Sequence, residues 1–429
     1  MRLILIEAAN GSRVFAVAFC IAWLSASSVL AQEHKLPARP PELLWHDAAA
    51  IETNHRHVTS GEAAWQGAMD RLRADAEAAL KQEPVTVTEK EFVPPGGTRH
   101  DYRSLGSYWW PNPNREGGLP YIRRDGKLNP EVNDPRHSDR PRLHRLVNDV
   151  ETLGWAYLFH EDQRYAKHAA AMLRTFFLDE ATRMTPRLRY AQAIPGHNDG
   201  RFIGLIDTRK LPVVLDMATV LQGSSAWTRD DHAALQAWVG RYLDWLTTHE
   251  FGKKAVAHPN NHGAWYDVQV ASYASFLGRE ELLHEALSRA QRRIERHFQP
   301  DGSQPHELSR TRSFSYSVMN LEGFFLLARL GEGAGVDLWN HRDQRLRAGL
   351  DYLILHALKG KWPHEQITPP KLERMLPLLC EAARVYHDRR YTRLADEMFI
   401  AFREERARLL YGFTPPPAAA DEPQQRDAE

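Results

Sequence analysis

Cysteine is almost absent: Cys20 and Cys380 are the only two among 429 residues. Such a pair cannot supply a disulfide framework, so a sizeable core has to hold the fold. A dominant charge is missing too. Lysine plus arginine and aspartate plus glutamate stand at 55 each, which removes any global field for nucleic acid or a membrane surface. Alternating β-pattern is scarce, and Val85-Thr86-Val87-Thr88 is the best strand candidate. No phosphate-cradling glycine loop, Gly-x-Ser-x-Gly elbow or His-Glu-x-x-His pair occurs. His258 and His262 have a metal-compatible spacing, but Pro259 argues against both lying on one helix face, so neither metal nor cofactor is expected.

Long apolar runs are also lacking, apart from Val14 to Leu24. Arg2 and Arg13 precede that run, and the small-residue site Val29-Leu30-Ala31 follows it. The pattern predicts a signal peptide over 1–31, too short for a comfortable membrane span. Its removal would leave Cys380 alone in a periplasmic or secreted protein with no stable membrane insertion. Nothing in the sequence sets the oligomeric state.

What the chain does contain is helical periodicity. After a polar, Pro-rich linker or draped arm over 32–60, apolar residues at helical spacing begin within 61–82. Between Pro84 and Pro141 the periodicity stops, and proline, glycine and an aromatic cluster (Tyr102, Tyr108, Trp109, Trp110, Tyr121) take over. Ten further helices are predicted near 143–159, 163–178, 209–222, 229–249, 264–277, 279–298, 315–330, 338–357, 370–387 and 391–409. Thr228 and Asp231 form a capping box for the fourth. Short connections between so many helices imply αα-hairpins, and the absence of a fixed repeat disfavours a regular solenoid. The expected fold is all-α: an α/α toroid, an incomplete barrel of helical hairpins over 61–410. A long aromatic-rich N-terminal loop region joins it, and a disordered tail over 411–429 follows.

Four clusters could carry chemistry. His258-Pro259-Asn260-Asn261-His262-Gly263 delivers two carboxamides and an imidazole to the start of a helix. Ordinary helix capping explains these residues equally well on their own. Glu307 to Tyr316 places Arg310 and Arg312, which can clamp carboxylates, beside the phenol of Tyr316. Guanidinium charge there should favour the phenolate. A core tyrosine with a solvated arginine pair is the plainer account. Pro195 to Arg201 adds His197 and Asn198 on a Gly-flanked loop. Ser107 to Pro113 carries Trp109 and Trp110, suited to stacking on sugar rings or to burial under a rim.

Three stretches, Ser107-Tyr108-Trp109-Trp110-Pro111, Tyr121 to Pro130 and Asn260 to Tyr266, resemble the alginate lyase superfamily of polysaccharide lyases. The resemblance runs over roughly residues 103–358. It implies a helical-toroid enzyme that cleaves uronic-acid polymers, of the branch that includes glucuronan and alginate lyases. By position it assigns Asn261, His262, Arg310 and Tyr316 to catalysis. Asn261 and Arg310 would neutralise the uronate carboxylate, with Asn198 a further candidate. His262 and Tyr316 would move protons. Trp109, Trp110, Tyr266, Arg312 and His197 would hold neighbouring sugars. The implied partner is an anionic polysaccharide, with no nucleic acid. Two alternatives compete: an inverting glycoside hydrolase using carboxylates such as Asp199 and Glu307, and an exported glycan-binding protein without chemistry.

Overall fold

Helical periodicity in the sequence becomes helix almost wherever it occurs. The computed structural model describes residues 43–402 and 405–411. The expected signal peptide over 1–31, and the expected tail over 411–429 apart from Tyr411, lie outside the described residues. All ten helices anticipated after residue 141 form, from Arg140–His160 through Asn261–Phe276 and Ser313–Gly333 to Arg389–Ala401. The Thr228–Asp231 capping box closes as expected, each side chain bonded to the other residue's backbone N–H.

Neighbouring helices pack as hairpins around an α/α toroid. Asn261–Phe276 sits in its midst, against Glu280–His297, Ser313–Gly333 and Arg229–Thr248. From Gly263 to Ala274 every residue of that helix is buried. This explains why its pattern is apolar all round rather than striped. The first and last described helical segments meet. Glu405–Arg408 packs against Gln66–Ala79, and the Asn54 amide donates to the carbonyls of Arg408, Leu409 and Tyr411.

Two expectations fail. Residues 43–60, anticipated as part of a linker or draped arm, are integral to the core. Ala48–Thr59 is a helix capped by Asp47, and Leu44, Trp45 and Ile51 are buried. Polar composition concealed this, because the segment is anchored by a few contacts rather than by an apolar stripe. Asp216, 1% exposed, accepts hydrogen bonds from the backbone N–H of Leu44 and Trp45 and contacts His46 Nδ1. The Trp45 indole donates to Ser272 in the central helix. Likewise Val85 to Thr88 is no strand. Val87–Glu89 turns as a 3₁₀ helix, with Thr86 capping it.

The long loop region is ordered by two small β-pairs. Arg103–Leu105 runs parallel to Tyr190–Ala193, and Trp109–Trp110 runs antiparallel to Ile122–Arg123. These pairs bring the aromatic stretch over one end of the toroid.

Removing the Asp216 carboxylate would strand two buried backbone donors. Asp216→Ala should therefore cost roughly 3 kcal/mol of unfolding free energy. Denaturant titration checks this; a loss under half that size would show that the N-terminal segment is only loosely attached.

Candidate active site

A cleft of about 510 Å³ opens at the end of the toroid under the aromatic loop. Six chain regions reach it. The first is the start of the central helix. Asn260 is its N-cap and accepts the backbone N–H of His262 at 3.0 Å, so the capping account and the functional one both hold here. Gly263 is required for packing: a Cβ there would overlap the His258 carbonyl and the Arg293 guanidinium. Arg293 donates to the carbonyls of His258 and Val256 and is itself held by Asp267 at 2.6 Å. The loop that delivers Asn261 and His262 is thereby pinned to the next helix.

The second region is the turn before Ser313–Gly333. Tyr316 lies beneath Arg310, whose guanidinium carbon stands 4.3 Å from the ring centroid, and Arg310 Nη2 donates to the phenol oxygen at 3.3 Å. On its other side that oxygen meets the hydroxyl of Tyr108 at 2.6 Å. Asp125 fixes Arg310 through an ion pair of 3.0 Å and also accepts from Thr311. So Tyr108 and Asp125, both from the long loop, complete the surroundings of a tyrosine some 200 residues away.

Further walls come from the Tyr190–Ala193 strand and the segment after it. Gln192 adopts a left-handed φ of 50°, unusual for a residue with a side chain. Its amide bridges Asp207 and Arg201. Seven arginines line the cleft (Arg123, Arg140, Arg201, Arg209, Arg310, Arg312 and Arg374) against one carboxylate, Asp207. Arg123 and Arg310 share Asp125, and Arg374 pairs with Glu322. Arg312 keeps a buried Nε without any partner. Such a surface suits a polyanion.

Protonation states follow from burial. Desolvation, then repulsion from His258 and the arginines, lowers His262 to a pKa of about 3, so its imidazole is neutral near pH 7. Tyr316 moves the other way from the sequence expectation. Burial and the neighbouring Tyr108 outweigh Arg310 and push its pKa well above the usual phenol range, which keeps the proton on oxygen.

Asn261, His262, Arg310, Arg312, Tyr316 and Trp109 all line the cleft. Four other expected residues do not. Tyr266 is 3% exposed and donates to the Leu246 carbonyl, a core position one turn into a helix that is buried on all sides. Trp110 alternates to the opposite face from Trp109, its indole donating to the Lys127 carbonyl under Arg124. His197 and Asn198 form an exposed turn outside the cleft, where His197 packs edge-on to Trp109. Of the loop Pro195 to Arg201 only Arg201 lines the cleft, and Gln192, Arg140, Arg209 and Arg374 were not anticipated from the sequence. They are scattered arginines and one glutamine in otherwise ordinary helical or loop pattern, and only the fold brings them together.

Comparison with known proteins agrees with this arrangement. A family model described as alginate lyase matches residues 86–362. The crystal structure of an alginate lyase from Bacteroides ovatus is similar at 32% identity and a TM-score of 0.80, covering 86% of this chain and 99% of that one. A variant of alginate lyase A1-III complexed with tetrasaccharide shares the fold at 13% identity and a TM-score of 0.52, covering 82% of this chain and 89% of that one. No curated protein matches. With the family model spanning more than half of its length, and a solved relative aligned along most of it, the chain belongs to the alginate lyase family.

Proposed function

We propose that the protein is an exported polysaccharide lyase, periplasmic or secreted. It would cleave a uronic-acid polymer, alginate or glucuronan, by β-elimination and leave 4,5-unsaturated uronate ends. The observation that carries this reading is the Tyr316 phenol, fixed between Tyr108 and Arg310 in a cleft where arginines far outnumber carboxylates.

The uronate C5 proton is weakly acidic while the adjacent carboxylate keeps its charge. Neutralising that carboxylate stabilises the enolate-like state that forms as the proton leaves. Asn261 and Arg310 take this role. Arg312 assists, since Arg310 is already shared with Asp125. His262, neutral in the resting cleft, removes the C5 proton. The C–H electron pair becomes the C4=C5 double bond as the C4–O4 bond breaks, and Tyr316 gives its proton to O4. Its raised pKa favours the acid role over the base role. Where proton and leaving group lie on the same face, Tyr316 would serve both ends only as the phenolate, its own proton first passing to a base such as His262, and would then take the C5 proton and give it to O4. Trp109 at the cleft wall would stack on a neighbouring sugar. Asn198, His197 and Trp110 could reach only an extended chain lying beyond the cleft. No step calls for a cofactor.

The hydrolase alternative lacks a free carboxylate pair. Asp199 sits on the exposed turn, and Glu307 is 1% exposed with both oxygens against Asn261. Ultraviolet absorbance of the conjugated double bond, read on a panel of polyuronates, separates lyase from hydrolase and from a mere binder. No absorbing product on any of them would refute the reading.

Tyr316→Phe should keep the ring under Arg310, and so the fold, while turnover falls by at least about 10²-fold. Near-normal turnover in the folded variant would move the acid role elsewhere. The pH profile gives a second check. An unshifted histidine base would be silenced as pH drops through 6.5, whereas His262 at about 3 stays proton-free. Hence kcat/KM should show no acid-side loss between pH 6.5 and 5; a full one-proton fall centred near 6.5 would show that burial does not hold the catalytic imidazole neutral.

A further inference from the structure

Glu307 is a buried carboxyl beside the site that the mechanism above does not use. It lies on the short helix Pro305–Leu308, 1% exposed. Oε1 accepts the backbone N–H of Asn261 at 2.8 Å, and Oε2 stands 2.7 Å from the Asn261 side-chain amide. The amide is placed with Nδ2 towards Glu307, an arrangement suited to an ionised carboxylate, which can only accept. That placement leaves Asn261 Oδ1 buried with no partner at all. It also commits the amide nitrogen to Glu307, although Asn261 lines the cleft, where a substrate carboxylate has to be met by donors.

The two ends of a carboxamide are nearly isosteric, so the hydrogen-bonding network decides which way it points. A proton on Oε2 reverses the choice: the O–H donates to Oδ1, the orphaned acceptor disappears, and the amide N–H groups are freed for the cleft. We infer that Glu307 acts as a neutral carboxylic acid and is a positioning residue for Asn261, turning that amide's donors towards the substrate carboxylate. This deepens the lyase reading and rests on it.

The surroundings favour the neutral form. Burial raises Glu307 to a pKa of about 7, against the pull of the Asn261 hydrogen bonds and of Arg310, whose charge is shared with Asp125. The nearby imidazoles of His258 and His262, on the segment that carries Asn261, are themselves lowered by burial and add no cation at neutral pH. His306, its neighbour on the same helix, is exposed, and His297 behind it is lowered to about 3. An incoming substrate carboxylate disfavours ionisation further. Linkage has a definite sign here. Folding raises this carboxyl above its ordinary 4.5, so its contribution to stability is complete below that pH and is lost as pH climbs through about 7.

The test compares wild type, Glu307→Gln and Glu307→Ala by kcat/KM against pH, with thermal unfolding alongside. Glutamine can accept the Asn261 backbone N–H through its oxygen and donate to Oδ1 through its nitrogen, copying the protonated acid. Wild type should lose kcat/KM as pH rises through about 7. Glu307→Gln should retain activity within about threefold at pH 6, lack that alkaline fall, and gain stability over wild type above pH 7. Glu307→Ala should lose about 10²-fold, as when a transition-state donor is misplaced. A folded Glu307→Gln as impaired as the alanine variant, or one that keeps the alkaline fall, overturns the inference.

Should the glutamine variant not fold, isotope-labelled glutamate carboxyl carbons in the wild type give an independent reading by NMR. One of them, that of the buried Glu307, should titrate near pH 7. A spectrum with none above the usual carboxylate range overturns the inference. That titration needs no substrate, so it remains decisive even if no polyuronate is cleaved and the lyase reading itself falls.

Discussion

Everything at the site hangs on a helix that is buried around its whole circumference. Asn261–Phe276 has no solvent face to compromise, so its axis is fixed by packing on several sides at once. Its first turn emerges at the cleft, and Asn261 and His262 inherit that rigidity. The loop before it is not free either. Asp267 in the same helix grips Arg293, and Arg293 grips the carbonyls of the approaching chain. The helix thus braces its own entry. Side chains held this way need little reorganisation when charge develops, which is where electrostatic catalysis gains most.

The cleft concentrates positive charge that the protein as a whole does not have. Net neutrality is reached only by averaging, because the matching carboxylates sit elsewhere. Asp125 and Glu322, outside the cleft lining, neutralise part of the guanidinium cluster by pairing with Arg310 and Arg374. They lower the repulsion that must be tolerated in the empty protein without facing a ligand as a competing anion. Arg201 shows that cost: burial and the nearby Arg123 bring its pKa down to about 10, still charged at neutral pH. A polyanion would relieve repulsion that the fold otherwise carries.

How much of this could be read beforehand depended on whether the signal was local. Apolar spacing, the Thr228 box and the Asn-Asn-His run are written in consecutive residues, and they were legible. So were Arg310 and Tyr316, six positions apart. Tyr266 misled because it shares a helix face with His262 but lies one turn deeper along the axis, where the helix has left the cleft and its hydroxyl donates to the Leu246 carbonyl. Trp110 misled for the corresponding reason in a strand, where neighbours point to opposite faces. The N-terminal segment and the arginine cluster were invisible for another reason. Asp216 meets Leu44 across 172 positions, and Arg140, Arg201 and Arg374 converge from three distant segments. No pattern within a single window encodes a meeting of that kind. The phenol of Tyr316 adds a quantitative lesson: an arginine beside a tyrosine predicts a depressed pKa only if burial does not exceed it, and burial is a property of the fold.

The toroid also has a seam, and its location sets an order of events. Asn54 holds the first described helix to the carbonyls of Arg408, Leu409 and Tyr411, and Arg406 reaches back to Asp75. One amide near the start of the ring is therefore saturated entirely by backbone near its end. A chain made from its amino terminus presents Asn54 early, but its acceptors come more than 350 positions later. Helical hairpins in between can stack as they appear, each on the one before. The latch cannot close until nearly the whole ring has been made, and only then does the buried Asn54 amide find its acceptors.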